Sequence, residues 1–163
     1  MNITIRRALA GDEGLILSFI RELATYEKLS HEVVATEEHL GRTLFCDAPK
    51  AFALIAEEDG EPVGFALYFF NYSTFLGKHG LYLEDLYVRE SARGLKAGEF
   101  LLAGMIDRAR ELGAQKLYLL TNSKCAPAIH LYEKLGFEHD RGILDAYAAR
   151  YERCDVAMLY KGA

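Results

Sequence analysis

The sequence predicts a mixed α/β fold in one domain spanning residues 1–163, with about six or seven strands in a mixed sheet and four helices flanking it. Three observations lead there. Stretches of alternating apolar and polar residues are interspersed with stretches whose apolar residues recur every three or four positions. Asp59-Gly60 sits between two strand-like runs, a strong hairpin signal. A length of 163 residues suits one hydrophobic core, and no linker, repeat or low-complexity segment divides it.

Each element follows in order. Ile3, Ile5 and Arg7 alternate with their neighbours and predict an opening strand. "GDEGLILSFIRELATYEKL" places Leu15, Ile16, Phe19, Ile20 and Leu23 on one helical stripe, with Asp12 as its N-cap. "TEEHLGRTLF", opening at Thr36, predicts a second helix. "AFALIAEEDGEPVGFALYFFNYS" predicts two strands around the Asp59-Gly60 turn, and "GLYLEDLYVRE" another. "EFLLAGMIDRARELG" is a helix that Gly113 ends. "QKLYLLTN" is a strand. "APAIHLYEKLGF" is a short helix with Pro127 in its first turn, and "RYERCDVAMLYK" a final strand. "EHDRGILDAYAAR" reads as a loop or a short helical turn.

Composition narrows the functional classes. A formal charge of −5 argues against general nucleic-acid binding and suits ordinary solubility or a small cationic substrate. Cys46, Cys125 and Cys154 form no CxxC pair, and the five histidines show no metal-ligand spacing, so no metal is expected. The cysteine pattern, the lack of an apolar run after the first charged residues and the lack of a stretch of about twenty apolar residues predict a cytoplasmic protein.

The chemistry-bearing stretch is "YVRESARGLKAGEFLL", where a strand hands over to a helix. Glycines let a backbone approach an anion, a helix start supplies unpaired N–H groups, and Arg93 and Lys96 add charge. The stretch is neither a P-loop nor the dinucleotide fingerprint. It resembles the [R/Q]-x-x-G-x-[G/A] loop of the GCN5-related N-acetyltransferase (GNAT) superfamily: Arg93-Gly94-Leu95-Lys96-Ala97-Gly98, with lysine in the fourth position. A second block resembles that family's A-x-x-L-Y-x-[K/R]-x-G-F signature through Ala128, Leu131, Tyr132, Lys134, Gly136 and Phe137. The resemblance covers essentially the whole chain. Within it, Tyr72 to Asp85 is similar to the diamine (spermidine/spermine) branch, with Ser73 where that branch often carries an acid. The C-terminal part is more like general bacterial members.

The resemblance implies the GNAT fold and acetyl-CoA as cofactor. It implies that backbone groups of Leu86, Tyr87 and Val88 pair with the pantetheine arm. The loop Arg93, Gly94, Leu95, Lys96, Ala97, Gly98 and Glu99 would take the pyrophosphate, and Asn122 would line the other wall. Lys96 is expected in an ordinary helix-start conformation. Tyr132 is the expected general acid, since a phenol is neutral at pH 7 and can donate to a departing thiolate. Glu84 is the expected base, direct or through water. Its neighbour Asp85 points to the opposite face of the strand. Tyr26, Glu27, Phe75 and Asp85 are expected to contribute to the amine pocket. Cys125 lies in the same stretch as the second block, with no activating base visible for a covalent role. The implied activity is acetyl transfer to a primary amine of a small diamine- or polyamine-like substrate, in a homodimer. The alternatives are a protein lysine, an amino acid or another amine as acceptor, or a non-catalytic acyl-CoA-binding module.

Overall fold

The computed structural model describes residues 2–147 and 154–161. Seven strands hydrogen-bond in the order β1-β2-β3-β4-β5-β7-β6. In chain order these are β1 (Ile3–Arg7), β2 (Phe52–Glu58), β3 (Glu61–Ser73), β4 (Lys78–Val88), β5 (Leu117–Thr121), β6 (Glu138–His139) and β7 (Val156–Tyr160). The helices are α1 (Glu13–Tyr26), α2 (Glu37–Leu44), α3 (Ala97–Glu111), α4 (Ala126–Lys134) and α5 (Arg141–Tyr147). The mixed α/β class and the strand number are as the sequence predicts. The helix number is corrected by α5, a short helix in the stretch read as a loop or helical turn. The start of the predicted last strand, residues 150–153, lies outside the described residues.

Contacts group the chain into two compact units, Met1–Leu67 with Asp85–Leu101, and Tyr68–Glu84 with Leu102–Ala163. In the first, β1 pairs antiparallel with β2, and Asp59 and Gly60 turn β2 into β3 with φ of 49° and 91°. Positive φ at both positions matches the right-handed twist of the flanking strands. The apolar stripe of α1 buries Ile16 and Phe19 against Leu40 and Leu44 of α2 and Ile55 and Phe65 of the sheet. Phe19 stacks on Phe65 with ring centroids 5.4 Å apart. Thr36 caps α2 by accepting the His39 N–H. Asp12 precedes α1, but its side chain does not cap the helix. Both its oxygens accept from the Arg6 guanidinium, and one also takes the Leu9 N–H. A charge-assisted pair outcompetes a neutral cap, and Arg6 holds the Asp12 carboxyl below the usual carboxylate range.

In the second unit, Tyr82 meets Tyr118 edge-on at 5.2 Å and Phe69 at 5.1 Å. β5 pairs antiparallel with β7 from Leu117–Tyr160 to Thr121–Val156, and β7 carries β6. β4 and β5 are parallel, with Leu81 opposite Leu117, Tyr82 opposite Tyr118 and Leu83 opposite Leu119.

Gly64 and Gly80 both stand at close approaches. A Cβ at Gly64 would lie 2.5 Å from the Tyr87 carbonyl oxygen, which belongs to backbone and cannot rotate away. At Gly80 the nearest atom, at 2.7 Å, is Oδ1 of the Asn71 side chain, which can. Gly64→Ala is therefore expected to lower stability by about 2 kcal/mol or more, and Gly80→Ala by clearly less. Urea unfolding of the two variants measures the order; a reversed order would contradict this packing.

Candidate active site

The loop into α3 is built from tight backbone turns. Ala92 ends a 3₁₀ turn, Glu90–Ala92, and the Arg93 and Leu95 N–H groups bond the carbonyls of Glu90 and Ala92 at 3.2 and 3.3 Å. Those two donors are used inside the turn. Gly94 has φ 87°, and a side chain there would meet nothing within 4 Å, so its face is open. Lys96 has φ 66°. This corrects the expected helix-start conformation: Lys96 sits in the left-handed region, where an L-residue is held at a cost of about 1–2 kcal/mol. The helix still begins at Ala97, and the Phe100 N–H bonds the Lys96 carbonyl at 3.0 Å. The left-handed residue finishes the turn so that the first α3 residues, Ala97 and Gly98, follow directly. A helix start carries a partial positive charge. The φ at this position accounts for the glycine that the motif usually carries there.

Arg93 is exposed, and its guanidinium lies over the Tyr26 ring at 4.7 Å, with Nε 3.4 Å from the Val88 carbonyl. Two expected groups thus meet, one assigned to the cofactor loop and one to the amine pocket. Tyr26 is the last residue of α1 and is 60% exposed, and Glu27 is its C-cap. Leu86, Tyr87 and Val88 are half-buried along β4. The Tyr87 ring turns toward Phe19, 6.4 Å away, and burial and the Glu22 carboxylate push its phenol pKa up. Arg89, which no sequence pattern singles out, anchors the end of β4. It binds Glu22 through three contacts of 2.9 to 3.2 Å and the Pro62 carbonyl at 2.9 Å, over the Phe19 ring. Its carboxylate partner lies 67 residues away in sequence, beyond the reach of any local pattern.

In the second unit, Glu84 follows the last residue of β4 that pairs with β5. Its side chain is open to water, yet surrounding protein crowds the carboxyl, and this loss of solvation pushes its pKa above the ordinary glutamate value. Asp85, next in the chain, is half-buried. Phe75 is fully exposed on the connection between β3 and β4. Asn122 shapes the loop after β5: its Oδ1 accepts the Lys124 N–H and its carbonyl the Cys125 N–H, each at 2.8 Å. Asp155 fixes the same loop by accepting both the N–H and the hydroxyl of Ser123, which hold its carboxyl below the usual range.

Tyr132 sits on α4 and is 6% exposed. Burial, and then the nearby Cys125 thiol, push its phenol pKa far up, so it stays protonated. Its position is set by how α4 ends. Gly136 has φ 92°, and the Phe137 N–H returns to the Tyr132 carbonyl at 3.0 Å. The Phe137 ring packs 5.9 Å from the Tyr132 ring. This is a Schellman cap with its hydrophobic contact, and it explains why glycine and an aromatic residue follow the tyrosine at that spacing. Among the described residues, no group of three His, Cys, Asp or Glu is placed to hold a metal, and no helix is long and apolar enough to cross a membrane.

The chain belongs to the acetyltransferase (GNAT) family, whose model matches residues 20–137. It is 40% identical over 142 residues to a thialysine N-epsilon-acetyltransferase of Bos taurus, covering 82% of this chain and 83% of that protein. It is 41% identical over 105 residues to a spermidine/spermine N(1)-acetyltransferase-like protein of Homo sapiens, covering 60% of this chain and 15% of that one. A GNAT-family acetyltransferase from Staphylococcus aureus shares the fold, with a TM-score of 0.71 and 18% identity over 97% of this chain and 98% of that chain. The chain is thus an N-acetyltransferase, as its two motif blocks imply.

The Lys96 backbone has a consequence for stability. Lys96→Gly is expected to raise stability by about 1 kcal/mol, because glycine adopts that φ without a Cβ clash, whereas Lys96→Val is expected to lower it. Urea midpoints of the two variants decide this; equal midpoints would remove the strain from the account.

Proposed function

We propose that this chain transfers the acetyl group of acetyl-CoA to the terminal primary amine of a small cationic molecule, by direct attack, as a single N-acetyltransferase domain. The observation that carries the reading is the placement of two groups in one unit: a water-accessible carboxyl, Glu84, whose pKa is raised by loss of solvation, and a buried phenol, Tyr132, on α4. An amine must lose a proton to attack, and a departing thiolate must gain one. Glu84 takes the proton, directly or through water, and its raised pKa makes it a stronger base. Tyr132 holds a proton for the leaving sulfur.

The loop residues fit a diphosphate. Gly94 presents an open backbone face, the start of α3 follows at once, and Arg93 is exposed beside it. In the first unit the residues that would hold acetyl-CoA are Arg93 to Glu99, with Gly94, Lys96, Ala97 and Gly98 as backbone donors, and the backbone of Leu86 to Val88; Asn122 is the residue proposed for it in the second. Acetyl-CoA supplies a thioester carbonyl open to attack by an amine. Asp85, Glu27 and Phe75 are proposed to contact the acceptor. The names of the bovine and human relatives, N-epsilon of thialysine and N(1) of spermidine or spermine, support a terminal amine on a cationic molecule as the acceptor. The higher coverage of the bovine protein favours a lysine-like amino acid beside a diamine. We also place the chain in the cytoplasm as a homodimer; sedimentation at micromolar concentration showing only monomer would contradict the second point.

Turnover is tested with acetyl-CoA and a panel of putrescine, spermidine, lysine, thialysine and lysine peptides, reading free thiol. Thiol release with the terminal amines is expected. Tight CoA binding without turnover on any amine would favour an acyl-CoA-binding module instead.

The pH dependence has a definite direction. Glu84 works deprotonated and its pKa is raised, so kcat/KM is expected to rise with pH through an apparent value above the ordinary 4.5, and to be lost below it. Glu84→Gln is expected to abolish that limb and lower kcat/KM by about 10²-fold or more. Tyr132→Phe is expected to lower kcat by a similar factor while leaving acetyl-CoA affinity nearly unchanged. Wild-type kcat in Tyr132→Phe would remove the phenol from the mechanism.

A further inference from the structure

We propose that Tyr26 is a positioning residue for the cofactor loop, holding the Arg93 guanidinium in place for a diphosphate, rather than a wall of the amine pocket. The inference rests on the reading of the Arg93–Glu99 loop as the diphosphate site. It starts from the 4.7 Å placement of the Arg93 guanidinium over the Tyr26 ring, with the Val88 carbonyl 3.4 Å from Nε. An exposed arginine normally samples many rotamers, and freezing it on a ligand costs binding free energy. A ring beneath the planar guanidinium removes much of that cost before the ligand arrives, while leaving its outer edge to meet a phosphate.

The backbone on both sides is fixed at the right points. α1 stops immediately after Tyr26: the Leu29 N–H returns to the Ala24 carbonyl at 2.7 Å, and Lys28 takes φ 61°. This is again a Schellman cap, here with lysine in the position that glycine usually fills. Arg93 is followed by Gly94 at φ 87° and Lys96 at φ 66°. Of the three non-glycine residues with positive φ among the described residues, Lys28 and Lys96 lie two and three positions beyond the two partners of this contact. Left-handed backbone at non-glycine residues persists where the surrounding structure demands it, and it gathers at ligand clamps. Tyr26 and Arg93 are therefore presented to one another from two sharply ended segments, 67 residues apart in sequence by their numbering.

Calorimetric titration with CoA at low salt tests this without turnover. Tyr26→Leu is expected to weaken CoA about two- to fivefold, Tyr26→Phe to retain wild-type affinity because the ring remains, and Tyr26→Trp to match or exceed it. In an Arg93→Ala background, Tyr26→Leu is expected to add nothing. In steady state the loss should appear in KM for acetyl-CoA and not in KM for the amine. A thermal melt checks the fold, which loss of an exposed ring should leave intact. If Arg93→Ala keeps full CoA affinity, the reading of the loop as a diphosphate site fails, and the inference with it. If Arg93→Ala weakens CoA but Tyr26→Leu does not, or tightens it, or raises the amine KM instead, the inference alone fails.

Discussion

A strand that outruns its neighbour sets the terms for the rest of this molecule. β4 has 11 residues and β5 has 5, and their parallel pairing stops at Leu83 and Leu119. Beyond that point β5 keeps its other partner, β7, through Thr121. β4 continues through Glu84 to Val88, and the Arg89 N–H beyond it still reaches the Val63 carbonyl. Backbone donors and acceptors in a protein interior need partners. The pantetheine contacts proposed from the family resemblance, Leu86 to Val88, fall on this continuation of β4. Glu84 stands where the ladder ends, its side chain open to water and its carboxyl crowded by protein.

The ends of the helices matter as much as their faces. α1, α3 and α4 each finish with an N–H returning five residues back, from Leu29 to Ala24, Ala114 to Ala109 and Phe137 to Tyr132. The residue before each returning N–H has positive φ: Lys28, Gly113 and Gly136. In α4 this cap fixes the proposed acid, since the carbonyl it captures belongs to Tyr132 itself. In α1 it fixes the backbone that carries Tyr26. A sequence signature such as L-Y-x-K-x-G-F is therefore a structural device as well as a chemical one: its glycine and phenylalanine hold the tyrosine still.

Much of this is legible in the sequence because it is local. Asp59-Gly60 requires positive φ at both positions of a two-residue hairpin, and Gly113 ends α3 as its place after a periodic run predicts. Lys96 is not legible, because the residue type argues for a helix start while the turn closed by Arg93 and Leu95 on Glu90 and Ala92 demands a left-handed step. Asp12 misleads for a related reason: its position suits a cap, but Arg6 competes for the same carboxylate. α5, at seven residues, is too short for its periodicity to stand out. The Arg89–Glu22 and Arg93–Tyr26 contacts are long-range and leave no trace in any window of the chain.

Burial acts on Glu84 and Tyr132 in the same direction. Loss of water disfavours the charged form of either group. For the Glu84 carboxyl the upward shift improves its basicity. For a phenol that starts near 10, the same kind of shift closes off the phenolate entirely. Desolvation thus favours the protonated form of both groups: it raises the Glu84 carboxyl and holds the Tyr132 phenol neutral. The pair also differs in its access to solvent. The Glu84 side chain remains open to water, the proposed exit for a proton taken from an amine. The Tyr132 side chain is almost wholly enclosed, which shields the proton proposed for the leaving sulfur.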